Sequence, residues 1–422
     1  AVTRSGSNQF EGSLFYNFRN QNLAGSKAGD VEVVKTNFDV KQYGFRLGGP
    51  LVKDKLFFFV NAEAERRSDP ATSFLAFRDS TSTDPTSPNV TRVWASKLDE
   101  LKAFLKSKFN YDPGAYENYN LDTWSNKALF KLNYNINKTH RVSLRYNYLR
   151  SYRDVLISNS RAVSGNRRLN KDALNFQGAN YVINNDLHSV IGEVNSIFSN
   201  KMSNLLQIGF TANRDYRNSF GSLFPLVDIQ QDGKTYTSFG YEPFTANNRL
   251  NTDTWQFQDN LTYYAGDHTI TAGINFESFV FENTFTPSYY GQFTFASLED
   301  FYASANGDTS IVAKEYRLGY SGLKDAALPI ATTKAYMPGV YAQDEINLVQ
   351  DKLKLTVGVR ADIPFFGNTA LKNPAVDTLK FKLADGSETS YSTDELPKAS
   401  ILWSPRIGFN YDPKGDRSLQ IR

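Results

Sequence analysis

The 422-residue chain contains no cysteine. That excludes a disulfide scaffold, a thiolate metal site and a cysteine nucleophile, and it suits passage through an oxidising compartment. Methionine is nearly absent at 2, and histidine stops at 3. His140, His188 and His268 show neither metal-ligand spacing nor a serine or carboxylate in a catalytic arrangement, so no enzymatic activity and no cofactor is expected. Excess charge of one sign is missing too: the net charge is +3 with 22% charged residues, and nucleic acid is not an expected partner. Long hydrophobic runs are also absent. The longest, Leu56 to Val60, is far short of the roughly 20 residues of a membrane-spanning helix. A mean hydropathy of -0.47 fits that absence. It does not exclude a membrane β-barrel, whose polar lumen face and long loops dilute the average.

What is present is aromatic and alternating. Phe (32) and Tyr (24) dominate an aromatic content of 14%, a bias that favours strands. From Tyr43 to Glu65, Tyr43, Phe45 and Leu47 share one face and Gly44, Arg46 and Gly48 the other. Gly49, Pro50 and Lys53-Asp54 turn the chain. Leu56, Phe58, Val60, Ala62 and Ala64 then oppose Asn61, Glu63 and Glu65. Side chains alternate across a strand, so this is a hairpin with one apolar and one polar face. The same pattern recurs through Phe10–Arg19, 127–136, 141–148, 184–198, 205–214, 255–263, 270–276, 340–348, 353–362 and 406–411, and Leu419 and Ile421 open one strand more. Asp259 breaks it, falling on an apolar face.

Every second connection is short, near Pro50, Asn137, Asn200, Gly266, Gln350-Asp351 and Pro413; those between are long and polar. Outer-membrane barrels carry this asymmetry of short periplasmic turns and long extracellular loops. The strands, about ten to fourteen residues, are long enough to cross an apolar band of about 25 Å at a tilt of about 45°. The expected fold is therefore all-β: an antiparallel transmembrane β-barrel built from residues 1–422, with long extracellular loops holding short helices. One helix is expected from Ser96 to Asn110, and one from Ser297 to Ala305 with Ser297 as its cap and Gly307 as its stop. Unpaired backbone is not tolerated in lipid, so a sheet ending mid-strand reads as the first 12 or 13 strands of a larger barrel.

AVTRSGSNQFEGSLFYNFRN resembles the first barrel strand of TonB-dependent outer-membrane transporters, just after their plug domain. YGFRLGGPLVKDKLFFFVNAEAER, YGQFTFASLEDFYA, GVYAQDEINLVQDKLKLTVGVRAD and SPRIGFNYDPKGDRS are similar to the Oar-like branch, relatives of the starch-utilisation transporters. The resemblance implies a plugged barrel of about 22 strands in the bacterial outer membrane, driven by the TonB–ExbB–ExbD motor and moving a bulky peptide, protein, glycan or chelate. A surface lipoprotein partner fits that picture. The plug and the C-terminal strands are expected outside this chain. A passive porin-like or adhesion barrel would show the same strands without the motor, and a soluble β-rich binding protein is a third class.

Face parity nominates the lumen side: Arg46, Asn61, Glu63, Glu65, Arg145, Arg360 and Arg406, for plug contact, a substrate path or plain solvation. Phe57 and Phe59, misfits on the polar face, should lie inside and low, where a plug would cover them. On β-strand parity Val357 should face lipid and Thr356 the lumen. In the loops Trp94, Tyr111, Tyr116, Tyr119, Tyr289 and Tyr290 can stack on sugar or grip peptide, and loop self-packing serves them equally. The Asp/Asn-rich stretch from Asn110 to Asp122 suggests Ca²⁺ only by composition, with no defined loop signature.

Overall fold

The computed structural model describes residues 3–32, 36–79, 87–163, 166–324, 326–349, 352–416 and 418–421. Twelve long strands pair in chain order, each antiparallel to the last: β1 (Glu11–Asn20), β2 (Asp39–Val52), β3 (Leu56–Pro70), β4 (Asn120–Asn135), β5 (His140–Val155), β6 (Tyr181–Ser199), β7 (Met202–Ser219), β8 (Arg249–Ala265), β9 (His268–Thr284), β10 (Ile330–Val349), β11 (Leu353–Asp362) and β12 (Leu402–Tyr411). A two-residue strand, Phe365–Phe366, joins β10 beside Tyr336 and completes the 13-stranded sheet. β1 and β12 are its edges, and Ile421 meets Tyr411 only as an isolated bridge. The expected turn at Gln350-Asp351 lies outside the described residues.

Alternation sets which face is which. One line of cross-strand neighbours runs Leu47–Val60–Phe130–Tyr146–Val190–Phe210–Trp255 across β2 to β8. All point to the outer face, and the rings of Phe210 and Trp255 lie 4.8 Å apart. Large apolar groups on this face stay uncovered by protein; Leu14 is 85% and Ile407 80% exposed. In water such a continuous belt would be costly, and in lipid it is the favourable solvent contact. Asp259 does face outward, and Asn204 donates to its Oδ1 at 2.6 Å.

The strands run from 10 to 20 residues, longer than alternation implied. In β7 the outward series from Met202 to Ala212, apolar but for Asn204, gives way to Arg214; in β9 that from Ile270 to Val280, apolar but for Ser278, gives way to Glu282. Eleven residues at about 3.4 Å each, tilted about 45°, rise about 26 Å, close to the thickness of the apolar band. Above it, ion pairs join neighbouring strands on the outer face: Arg150–Asp186 at 3.6 Å, Arg214–Asp253 at 2.6 Å and Arg249–Glu282 at 3.5 Å. Backbone pairing needs no apolar face, so the strands continue into water where the alternation stops.

The main apolar core lies in the long connections. Loop segments 71–119, 156–180, 220–248 and 285–329 pack together around Val93, Leu98, Leu101, Leu105, Phe176, Ile229, Phe239, Phe295 and Phe301. The strands Lys234–Phe239, Leu226–Gln231, Gln292–Phe295 and Glu315–Arg317 form a four-stranded sheet there. Helices α1 (Ala95–Phe109) and α2 (Leu298–Ala305) cover it. At its centre Arg167 and Asp228, both buried, form a bidentate pair at 2.8 Å, and Asp228 also accepts from Ser238. Ser297 caps α2 as expected, through Asp300 N at 3.0 Å, and Gly307 follows at φ +97°. α1 corrects its expected start: Trp94 takes the cap position with no side-chain bond, because extended backbone persists through Val90–Trp94. Asn110 ends it in the left-handed conformation.

Candidate functional site: the lumen wall and the extracellular platform

The inner face of β8 to β12 carries a connected polar network built on glycine. Tyr341 lies flat across Gly273, where a Cβ would sit 2.5 Å from Tyr341 Cζ and 2.6 Å from Asn260 Oδ1. Arg360 lies across Gly339 in the same way, 3.0 Å from the place of a Cβ. Only glycine leaves room for such large groups against the wall. Arg360 donates to both Asp362 oxygens and to Asn275 Oδ1, each at 2.7 Å, and its guanidinium stands 5.4 Å over the Tyr341 ring. Tyr341 donates to Asn260 and accepts from Gln258 Nε2 at 3.1 Å. Two clefts of about 220 and 630 Å³ open here and share Gln258 and Arg360. Arg406 lines the larger, donating to Gln343 at 3.2 Å. Because Asp362 neutralises Arg360, the wall presents mainly amides and hydroxyls. Such groups donate and accept alike, and suit a bulky polar surface sliding past.

The other nominated inner residues form a second group. Arg46 donates to Ser13 Oγ at 2.9 Å and pairs in register with Asn61, which donates to Phe45 O at 3.2 Å. Arg46 thus turns to Ser13 and not to the two glutamates: Glu63 stands opposite Lys127 and Glu65 opposite Ser125. Arg145 stands opposite Lys131, and both reach toward Thr3 Oγ1 at 3.5 and 3.4 Å. Phe59 is buried, and the small cleft it lines is walled on one side by Arg4 to Ser7 and Gln9 of this same chain, together with Arg46 and Gly48. Phe57 is half-buried opposite Asn133. The cover expected from a plug over Phe59 is therefore supplied, in part, by this chain's own N-terminal segment, pinned where Asn8 Oδ1 accepts from Asp54 N at 2.7 Å.

The loop aromatics divide. Tyr111 and Tyr119 are buried and correct the expectation of surface contact, because their rings hold the platform together. Tyr111 stacks on Phe224 at 4.5 Å and accepts from Gly240 N at 3.2 Å. Tyr119 accepts from Asn180 Nδ2 at 3.0 Å. Burial pushes both phenols up to about 12. Tyr116, half-buried, donates to Asp99 at 2.9 Å. Tyr289 packs edge-on against Tyr290 at 5.2 Å, and Tyr290 and Trp94 remain exposed. In the Asn110–Asp122 stretch, Asp112 turns to Gly114 N at 2.9 Å and Lys102 at 3.4 Å. No group of three or more potential metal ligands lies together among the described residues.

Tyr341, Asp362, Asn260 and Gln258 escaped the sequence reading. The available signal was an aromatic on the polar parity of β10, with glycines one strand away on either side.

A lipid-facing apolar belt around a polar, cleft-lined inner wall defines a membrane β-barrel protein. The chain belongs to the family described as "Outer membrane beta barrel domain", which matches residues 2–422, and its place is the bacterial outer membrane. It is 30% identical over 158 residues to the TonB-dependent transporter Oar of Myxococcus xanthus, covering 35% of this chain and 13% of that one. Among solved structures it resembles the outer membrane transporter YddB of Escherichia coli, with a TM-score of 0.54 and 9% identity over 99% of this chain and 43% of that one. The Ferric-Catecholate import receptor Fiu of E. coli K12 aligns with a TM-score of 0.49 and 11% identity, over 97% of this chain and 53% of that one. The chain thus spans about half or less of the length of these relatives.

Proposed function

We propose that this chain is the N-terminal part of the barrel of a TonB-dependent transporter that carries a bulky polar substrate across the outer membrane. The observation that carries the reading is the inner wall itself. Tyr341 and Arg360, the latter neutralised by Asp362, lie against glycines in a wall otherwise rich in amides and hydroxyls, an arrangement that supports passage of a polar surface. The platform over the loops adds a fixed surface for first capture. Its core is apolar and its buried ion pair ties two loops together. Likeness to Oar supports energy coupling through TonB, ExbB and ExbD, with the plug that couples them supplied from outside these residues. A surface lipoprotein partner belongs to the same reading.

The test is conduction against uptake. Reconstituted in liposomes, the whole protein should be closed to small sugars, and cells lacking TonB should lose uptake of its substrate. Free conduction by the reconstituted protein would show instead a passive pore.

A further inference from the structure

On the platform, away from the lumen wall, a cleft of about 260 Å³ opens between the starts of α1 and α2 and the strand Leu226–Gln231. Trp94, Lys97, Gln230, Gln231, Ser297 and Glu299 line it. The tryptophan is held by its backbone and by one ring neighbour. Its backbone N–H donates to the buried Tyr236 hydroxyl at 2.8 Å, and Phe77 packs edge-on against its ring at 4.6 Å. Even so, 46% of Trp94 is exposed. Gln230 is buried and oriented by Lys314, which donates to its Oε1 at 3.0 Å.

We propose that this cleft binds a neutral sugar residue. A flat indole offers a large apolar face at little entropic cost. The exposed Gln231 amide can both donate and accept, and the Gln230 amide nitrogen and the Ser297 hydroxyl hydrogen, whose own oxygens already accept from Lys314 and Asp300 N, add donors, which suits a ring of hydroxyls. Lys97 and Glu299 balance each other on the rim, so the lining favours neither sign of charge, and an apolar ligand would strand the Gln231 amide without a partner. An extended peptide is disfavoured because Leu226–Gln231 lies inside its sheet, between Lys234–Phe239 and Gln292–Phe295, and offers no edge strand to add to. The size suits one hexose. The inference is independent of energy coupling, since a transporter, a pore or an adhesin could each carry such a site.

The protein purified in detergent is titrated with neutral hexasaccharides of glucose, mannose, galactose and N-acetylglucosamine, and with an uncharged hexapeptide, following tryptophan fluorescence and heat. At least one saccharide should bind saturably. Trp94→Phe should abolish the fluorescence response and weaken binding about tenfold. Gln231→Ala, on the exposed rim and outside the apolar core, should weaken it about fivefold while the platform keeps its protease resistance. Competition by purified lipopolysaccharide would mark a surface glycan as the source, and lack of competition a soluble one; both agree with the proposal. No binding by any of the four saccharides, binding unaltered in both variants, or binding of the peptide alone overturns it.

Discussion

Single side chains decide which face meets lipid. Ile208 stands midway along the outward apolar series of β7, with Gly192 and Phe257 as its cross-strand neighbours. Ile208→Arg should cost about 2–4 kcal/mol of barrel stability, while Gln207→Arg, facing the lumen beside Glu193, should be mild. Urea titration followed by heat-modifiable gel mobility measures both, and equal costs would invert the assignment. Val357 also faces outward, but Asp344 stands directly opposite, so an arginine there gains a partner and loses less. On the inner face, Gly273→Ala should displace Tyr341 and destabilise by about 1–3 kcal/mol. Tyr341→Ala in the same chain should recover part of that loss, because it vacates the space the methyl needs. A double-mutant cycle with no coupling would remove the glycine from the account.

Glu242 tests the platform through pH. It is fully buried, its Oε2 accepts from Phe244 N and Thr245, and its Oε1 has no partner among the described residues. Burial holds its carboxyl above the usual range. The folded platform therefore binds a proton that the unfolded loops release. Its stability is full below the ordinary carboxyl pKa and falls as pH rises toward the folded value. Glu242→Gln should flatten that dependence and protect the loops at neutral pH; limited proteolysis at pH 5 and pH 8 shows whether it does.

Elements were legible where one face met lipid and obscure where it did not. The twelve strands, their order and the hairpin turns follow from a period of two imposed by a one-sided apolar solvent, as in β2 and β3. Their ends did not, since Thr332 to Lys334 pair as well as any residues of β10 while showing no apolar alternation. α1 was visible from Leu98, Leu101 and Leu105, yet its cap was misplaced, because strand Val90–Trp94 runs straight into it. The platform could not be foreseen. Its core gathers Leu98, Phe176, Phe239 and Phe301 from four separate loops, and no local spacing records that meeting. Arg167 and Asp228 are likewise distant in sequence. Breaking that pair with Arg167→Met leaves Asp228 buried and uncompensated, at a cost of about 3–5 kcal/mol. Trypsin should then cut the platform loops while the barrel keeps its heat-modifiable mobility. Loss of both together would mean that platform and barrel fold as one cooperative unit.

At the scale of the whole molecule, the chain is a wall with two solvents. Leu47, Phe130, Val190 and Trp255 stand on its apolar face; Arg360, Tyr341 and Gln258 stand on its polar face. Parity put Arg360 and Arg406 on the polar face from sequence; Asn275 and Gln343, which orient them, come from other strands in a register that alternation alone leaves open, whereas Asp362, which neutralises Arg360, sits two residues along the same strand. The absence of cysteine allows a background-free measurement. Single cysteines at Ile208, Ile274 and Val340, and at Gln207, Thr271 and Gln343, would each carry a spin label in the bilayer-reconstituted protein. Collision with oxygen should be high and with a water-soluble nickel chelate low for the first three labels, and the order should reverse for the second three. The same accessibility on both faces would contradict a lipid-facing belt around a polar lumen.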